Sequence, residues 1–370
     1  MPNVDLIILG ASARAACFSA RRAGFTAYWI DQFGDFDLRS EFEGQLVKPE
    51  SYPRALAGCL KEAAKVPFMY TGAMENHLGV LEDLEKQRSL LGNSAEVCRA
   101  VRNPERLKAC YETASITCPA VSLRAQTEGS WLRKPVHGAG GRDIESYQAG
   151  QTPGDNFYLQ EFIEGESRAA VFLANGREAS LIGVSQQLIG ESFLNAAAYA
   201  YCGSIGPLAI ADEERAQWQL IGGRLTLEFG LRGLFCLDAI VREGRVYPLE
   251  INPRYSASVE VLELAMNLPL LLAHRQACLG ELLKSYTDPG RMWAKAYLFA
   301  AEDLRCPEDL SSIYSAAESR ITTADIPVPG SMIAQGHPLM TILGEVENQD
   351  QATRMLSDKA ELLYREFEVI

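Results

Sequence analysis

The 370-residue chain is 47% apolar and 22% charged, the balance of an ordinary globular protein long enough for two or three domains. Its net charge of −13 excludes the basic field that a nucleic-acid groove needs, so an anionic ligand has to be met by local Arg, Lys, backbone N–H groups or a bound cation. Nine scattered cysteines without a CxxC and four histidines without zinc spacing exclude a disulfide framework and a zinc site.

In chain order, "VDLIILG" (4–10) is a short apolar run ending in Gly, the profile of a buried parallel strand. The segment before it lacks the basic region of a signal peptide, and no apolar run approaches the ~18 residues of a membrane span, so the expected location is the cytoplasm. A helical stretch runs through Arg22 to Gly24, and the strand "TAYWIDQ" follows. A helical segment around 52–65, the strand "VPFMYTG" and a helix from about Glu75 repeat the pattern. This alternation predicts a doubly wound, Rossmann-like parallel sheet over 1–95.

From Asn103, "NPERLKACYETASITCP" reads as a helix entered through Asn-Pro and stopped by Pro119. Beyond it lie strand-like runs, "SWLRKPV", "NFYLQEFI", "SRAAVFLANG", "EASLIGVSQQLI" and "LFCLDAIVREGRVYPLEINP", joined by Gly, Asn and Pro turns. Between them "ADEERAQWQLIGGRLTLEFGL" predicts an amphipathic helix, and "LPLLLAHRQACLGELLKSY" a buried one. The tail offers two more strands, "RMWAKAYLFAA" and "LMTILGEVEN", and a helix from about Asp350. The divisions expected are 1–95, 96–290 and 291–370.

Three stretches carry chemistry. In "VYPLEINPR", Glu250 and Asn252 lie two apart on a strand and so share a face, and the "REGR" turn brings Asp238 of "LFCLDAIV" alongside. Two carboxylates and an amide oxygen make a hard oxygen site suited to Mg²⁺ or Mn²⁺ with substrate phosphates. Arg254, two residues on, suits a phosphoryl oxygen. The plain alternative is a surface hairpin. In "LRKPVHGAGGRD" (132–143) the lysine precedes the glycines, and Arg142-Asp143 stand where a P-loop needs Lys-Ser/Thr. Lys134 at a strand end can reach α- and β-phosphates while Gly138, Gly140 and Gly141 offer backbone N–H groups; otherwise this is a flexible turn with an exposed lysine. In "YLQEFIEGESR", Glu161, Phe162 and Ile163 can edge an apolar slot for adenine, and Glu166 can take ribose hydroxyls; a plain strand ending in an acidic turn is the alternative.

The order K-P-x-x-G-x-G-G, Q-E-F-I-E-G-E, D, E-x-N-x-R resembles the ATP-grasp superfamily, which includes biotin carboxylase, carbamoyl-phosphate synthetase and many carboxylate–amine ligases. The resemblance spans roughly 100–290. The flanks "GASARAACFSARRAGF" and "ADIPVPGSMIAQGHPLMTILG" look like a poorly characterised subgroup linked to methanopterin-type one-carbon metabolism. The resemblance implies an α/β (α+β ATP-grasp) chain with a Rossmann-like first domain and a small C-terminal α+β domain. Lys134 and residues 138–141 become the triphosphate clamp and a mobile lid, and 161–163 and Glu166 the adenosine contacts. Asp238, Glu250 and Asn252 become the Mg²⁺ ligands, with Arg254 on the transferred phosphoryl group. For the cation that many members carry on the preceding helix, Arg102, Arg106 and Lys108 compete, and Arg106 is favoured. The implied reaction activates a small carboxylate as an acyl-phosphate with ATP and joins it to an amine; chemistry through carboxyphosphate stays open. Ser12, Arg14 and Ser256 are the expected substrate contacts, with Arg14 alternatively capping local structure or pairing Asp31 or Asp35. A homodimer is the default assembly.

Two rivals remain. "ILGASARAACFSA" is a degenerate dinucleotide fingerprint, with Ser12 and Ala15 in place of two glycines and Asp31 about 20 residues on, as in an NAD-dependent oxidoreductase. A non-catalytic nucleotide-binding scaffold is the other.

Overall fold

A computed structural model describes residues 4–282, 290–315 and 320–370 of the chain. The first four strands, β1 (Leu6–Gly10), β2 (Ala27–Asp31), β3 (Gly44–Leu46) and β4 (Phe68–Tyr70), form a parallel sheet in the order β3-β2-β1-β4. All five residues of β1 are buried, as an apolar run covered on both faces must be. The strand order reverses between β1 and β4, so their carboxyl ends open the crevice where such sheets accept ligands. Those ends approach closely: a Cβ on Gly10 would sit 2.4 Å from Oγ1 of Thr71.

Four short strands, β5 (Val121–Ser122), β6 (Trp131–Pro135), β7 (Glu145–Ser146) and β8 (Phe157–Glu161), make a small antiparallel sheet ordered β5-β8-β6-β7. The next five are β9 (Glu166–Asn175), β10 (Ala179–Ile189), β11 (Tyr201–Gly206), β12 (Arg232–Arg242) and β13 (Arg245–Asn252). The tail adds β14 (Met292–Phe299), β15 (Leu304–Arg305), β16 (Ile321–Ala324), β17 (Met332–Ile333), β18 (Pro338–Val346) and β19 (Glu368–Val369). The large antiparallel sheet runs β13-β12-β9-β10-β11-β14-β18-β16, and β17-β15-β19 form a small satellite. Because β11 pairs with β14, this sheet crosses the boundary expected at residue 290 without a break.

Strand alternation explains the layers. On β9, Ala169, Val171 and Leu173 pack with the helices Ala257–Met266 and Leu270–Cys278, while Ala170, Phe172 and Ala174 pack with the helix Asp212–Phe229. The leucine-rich stretch, expected to be a buried helix, forms the shorter helix Leu270–Cys278, which buries one face through Leu270, Leu271, Ala273, His274 and Ala277 and leaves Leu272, Arg275 and Gln276 exposed; from residue 283 on it lies outside the described residues. The "REGR" turn closes β12 onto β13 with Glu243 and Gly244 at φ 52° and 74°, the left-handed pair that matches hairpin twist. The helix Ala257–Met266 and strand β11 were not expected from the sequence. All nine cysteines are free thiols, and no single helix among the described residues is long and apolar enough to cross a membrane.

The helix Asp212–Phe229 carries adjacent glycines with opposite surroundings. A Cβ on Gly222 would lie 2.3 Å from the Phe172 ring, whereas Gly223 has nothing within 4 Å. Gly222→Ala should therefore destabilise the fold by about 1–3 kcal/mol through overpacking. Gly223→Ala should stabilise it by up to about 1 kcal/mol through helix propensity. Denaturant unfolding of the two variants checks both signs, and equal effects would contradict the packing.

Candidate functional site

The β12–β13 register sets Asp238 directly opposite Glu250 and Cys236 opposite Asn252, so the two carboxylates and the amide share one face. Nδ2 of Asn252 donates to Oδ2 of Asp238 at 2.9 Å, and Nε2 of Gln187 donates to Oδ1 at 3.0 Å. Burial and the neighbouring Glu250 push the Asp238 carboxyl up to about 7, against the opposing pull of Asn252, Lys134 and Arg254. Such a pair of crowded carboxylates fits a divalent cation. The amide is the exception: Oδ1 of Asn252 accepts from Nη2 of Arg254 at 3.2 Å, so an ion needs this amide turned over. Among the described residues no group of three or more His, Cys, Asp and Glu could hold a metal alone, so phosphate oxygens would have to complete the shell.

Lys134 on β6 is 7% exposed, and its Nζ donates to Oε1 of Gln160 on β8 at 3.1 Å. Its burial favours the neutral amine, but Tyr158, Glu250 and Asp238 outweigh that and raise its pKa. The glycine stretch after it lies closed. Gly138 O accepts from Nδ2 of Asn76 (3.1 Å) and Nη2 of Arg102 (3.0 Å), and Gly140 O accepts from the Tyr201 amide (3.0 Å). Gly141, at φ 77°, passes so close to Tyr199 that a Cβ would lie 1.8 Å from its carbonyl oxygen.

A cavity of about 390 Å³, within the range of small-ligand sites, is lined by Lys134, Gly140, Gly141, Asp238, Glu250 and Asn252. Glu161, Phe162, Ile163, Arg254 and Ser256 line it too. The amides of Glu161 and Phe162 already pair with the carbonyls of Ala120 and Ser130, which removes them as adenine partners. Arg254 is not a free cation: its Nε donates to both oxygens of Glu75 (2.9 and 3.0 Å) and its Nη2 lies 2.9 Å from Oε1.

Several expected residues stand elsewhere. Arg106 is exposed and stacks over the Phe229 ring; Arg102, 9% exposed, reaches the cleft instead, with Nη1 3.5 Å from Oε1 of Glu250. Asn103 caps the helix Pro104–Thr113, which leaves Arg102 ahead of the first turn and turns Arg106 outward. Lys108 lines a smaller adjoining cavity of about 70 Å³ together with Arg102. Glu166 is exposed, pairs with Arg168 at 2.5 Å and lines neither of these two cavities. Arg14 is 3% exposed and spent on Glu260 and Asp325, with bonds of 2.5 to 3.1 Å, so it cannot meet a substrate carboxylate. Ser12 likewise lines neither cavity; its carbonyl accepts from Oγ1 of Thr71. Asp31 turns inward to the amides of Ala13 and Gly34, which removes it as the ribose acid of a dinucleotide site.

The sequence reading missed Glu75, Gln160, Gln187, Tyr199 and Tyr201. Only Glu75 carried a signal: it follows β4 at the carboxyl edge of an open parallel sheet, where ligands bind.

Residues 101–258 match the family described as ATP-grasp domain, and the chain has the ATP-grasp architecture. It is 21% identical to the uncharacterized protein MJ0776 of Methanocaldococcus jannaschii, over 93% of this chain and 88% of that one. It is 23% identical to the carbamoyl phosphate synthase large chain of Thermoplasma acidophilum, over 89% of this chain but only 34% of that relative's length. The biotin carboxylase domain of Hydrogenobacter thermophilus 2-oxoglutarate carboxylase, solved as a dimer with MgADP, ADP and bicarbonate, superposes with TM-score 0.76. That match covers 100% of this chain and 91% of the other at 13% identity. Phosphoribosylamine–glycine ligase of Thermotoga maritima superposes at 0.70 with 16% identity, over 99% and 97%. At such identities the likeness to the solved structures is one of fold.

The raised Asp238 pKa has a measurable sign. The folded chain holds this proton up to about pH 7, whereas the unfolded chain releases it near 3.8. The group's stabilisation is therefore full below about pH 4 and is lost as pH rises through about 7. Asp238→Asn should raise the unligated protein's stability at pH 8 by about 1–3 kcal/mol and change it little near pH 4. Calorimetry across this range tests the sign; a uniform destabilisation at every pH would count against it.

Proposed function

We propose that the chain is an ADP-forming ligase that activates a small-molecule carboxylate with ATP and joins it to an amine. The observation that carries this reading is the opposed Asp238–Glu250 pair facing Lys134 and the closed glycine stretch across one cavity. The match of 101–258 to the ATP-grasp domain supports it. The division proposed is a Rossmann-like unit over 1–95, an ATP-grasp unit over 96–290 and a tail over 291–370 whose strands extend the ATP-grasp unit's large sheet through the β11–β14 pair.

In this reading Lys134 and the N–H groups of residues 138–141 hold the phosphates, and Arg102 replaces Arg106 as the cation from the preceding segment. The segment 161–163 supports the adenine. Asp238, Glu250 and Asn252 would hold Mg²⁺, which when bound neutralises charge on the phosphate oxygens. The substrate carboxylate oxygen forms a bond to the γ-phosphorus as the bond to ADP breaks, and Arg254 orients the transferred group. The amine nitrogen then bonds to the acyl carbon, phosphate leaves with the acyl oxygen, and the amine gives up a proton. The closed glycine stretch keeps water from the acyl-phosphate. Ser256, at the start of the helix Ala257–Met266 and in the cavity wall, is the remaining candidate for substrate contact.

Mg-ATP at about a hundred times its dissociation constant should stabilise the wild-type protein by roughly 2.7 kcal/mol, a rise of several degrees in Tm. NADH should give none. Glu250→Gln should abolish ADP release in a screen of acid and amine pairs. Full ADP release by this variant would sink the metal assignment, and a shift with NADH alone would sink the ATP reading.

A further inference from the structure

The turn Met74–Asn76 after β4 belongs to the N-terminal sheet, outside the segment matched as ATP-grasp domain, yet it reaches the candidate site three ways. Glu75 is 1% exposed, and its carboxylate accepts two donors of Arg254. The same carboxylate lies 3.9 Å from Nη1 of Arg102. The next residue, Asn76, donates to Gly138 O in the glycine stretch.

Arg102 is the unusual member of this group. Its Nη2 is spent on the carbonyls of Val136 (3.1 Å) and Gly138 (3.0 Å). Among the described residues its Nε and Nη1 are buried without a hydrogen-bond partner, with the carboxylates of Glu75 and Glu250 at 3.9 and 3.5 Å from Nη1. Oδ1 of Asn76 is likewise buried without a partner among the described residues. Buried donors on a guanidinium are costly to leave unpaired, and the cost is relieved when an anion supplies the acceptors. Two donors on one carboxylate fix the plane of Arg254, while Glu75 meets Arg102 only as a charge at 3.9 Å and the carbonyls of Val136 and Gly138 hold that second plane.

We propose that Glu75 is a positioning residue: it fixes the plane of Arg254 and lies as a counter-charge beside Arg102, so that the N–H groups these two arginines still offer meet the terminal phosphoryl group of a nucleoside triphosphate. Asn76 clips the glycine stretch closed over that group. The proposal rests on the ATP reading and deepens it, because the N-terminal sheet then supplies part of the γ-phosphoryl subsite. Glu75 itself touches no reacting atom.

The test is calorimetric titration of the full chain with Mg²⁺-ADP and Mg²⁺-AMP-PNP, in wild type, Glu75→Gln and Glu75→Asp. Wild type should bind AMP-PNP more tightly than ADP. Both variants should lose about tenfold of that preference, as expected for one misplaced charge-assisted contact, with ADP affinity held within about threefold. Glu75→Asp keeps the buried charge but shortens its reach, so it carries the test if Glu75→Gln does not fold. A purely structural Glu75 would lower Tm and leave the AMP-PNP to ADP ratio intact, which would overturn the proposal. So would equal affinities in wild type, or a preference that rises in the variants. If wild type binds neither nucleotide, the ATP reading itself fails, an outcome distinct from a failure of Glu75 alone.

Discussion

Asp238 and Glu250 are two carboxylates held opposite one another on paired strands in a partly buried cleft, and the surroundings are arranged to offset them. Left to themselves such groups resist joint ionisation, and the rise of Asp238 to about 7 reflects its burial first and that crowding second. The cations near them come from three parts of the chain: Lys134 from β6, Arg254 just past β13, and Arg102 from the end of the helix Ala95–Val101. Charges then alternate through the site, from Glu75 to Arg254, through Asn252 to Asp238. A chain with net charge −13 thus concentrates basic groups at one cleft while keeping them paired or close to carboxylates.

A second buried network fixes the frame in which this happens. Arg14 follows β1, Glu260 lies on the helix Ala257–Met266, Lys295 on β14, and Asp325 just beyond β16. Arg14 and Lys295 both donate to Glu260, and Arg14 also donates to Asp325. The two cations outweigh burial and bring Glu260 down to about 2. Pairs this buried contribute little net stability against an apolar replacement, but they are specific: each charge accepts only its own partner geometry. The network therefore ties the carboxyl edge of the N-terminal sheet to the large sheet.

What was legible in the sequence is what depends on local period. The two-residue spacing of Glu250 and Asn252 and the turn at Glu243–Gly244 give the hairpin, and hence the facing carboxylates. Lys134 at a strand end before glycines was legible for the same reason. The helix start at Asn103 was legible, but the choice between Arg102 and Arg106 hangs on which of them the packing turns toward Glu250 and which over the Phe229 ring. Glu166 was misplaced because Glu166 and Arg168 share a face at strand spacing and pair with each other rather than with a ligand. The role of Arg14 lay furthest from reach: its partners are 246 and 311 residues away in the chain, and no local pattern encodes such a meeting. The continuous sheet across residue 290 was hidden likewise, because strand order is a property of long-range pairing.

The glycine stretch joins these levels. Its closed position is steric in origin, because Gly141 fits against the Tyr199 carbonyl only without a side chain. Yet the polar ties that hold its carbonyls number few: Asn76 and Arg102 on Gly138, and the Tyr201 amide on Gly140. A neutral hydrogen bond of this kind contributes about 0.5–1.5 kcal/mol and the one from arginine somewhat more, so the sum is comparable to the binding energy of a modest ligand contact. Closure is therefore narrow in geometry but shallow in energy. The groups that hold it shut, Arg102 and Asn76, flank Glu75 on the carboxyl side of the N-terminal sheet. Shutting the cleft and orienting its arginines are thus consequences of the same few contacts.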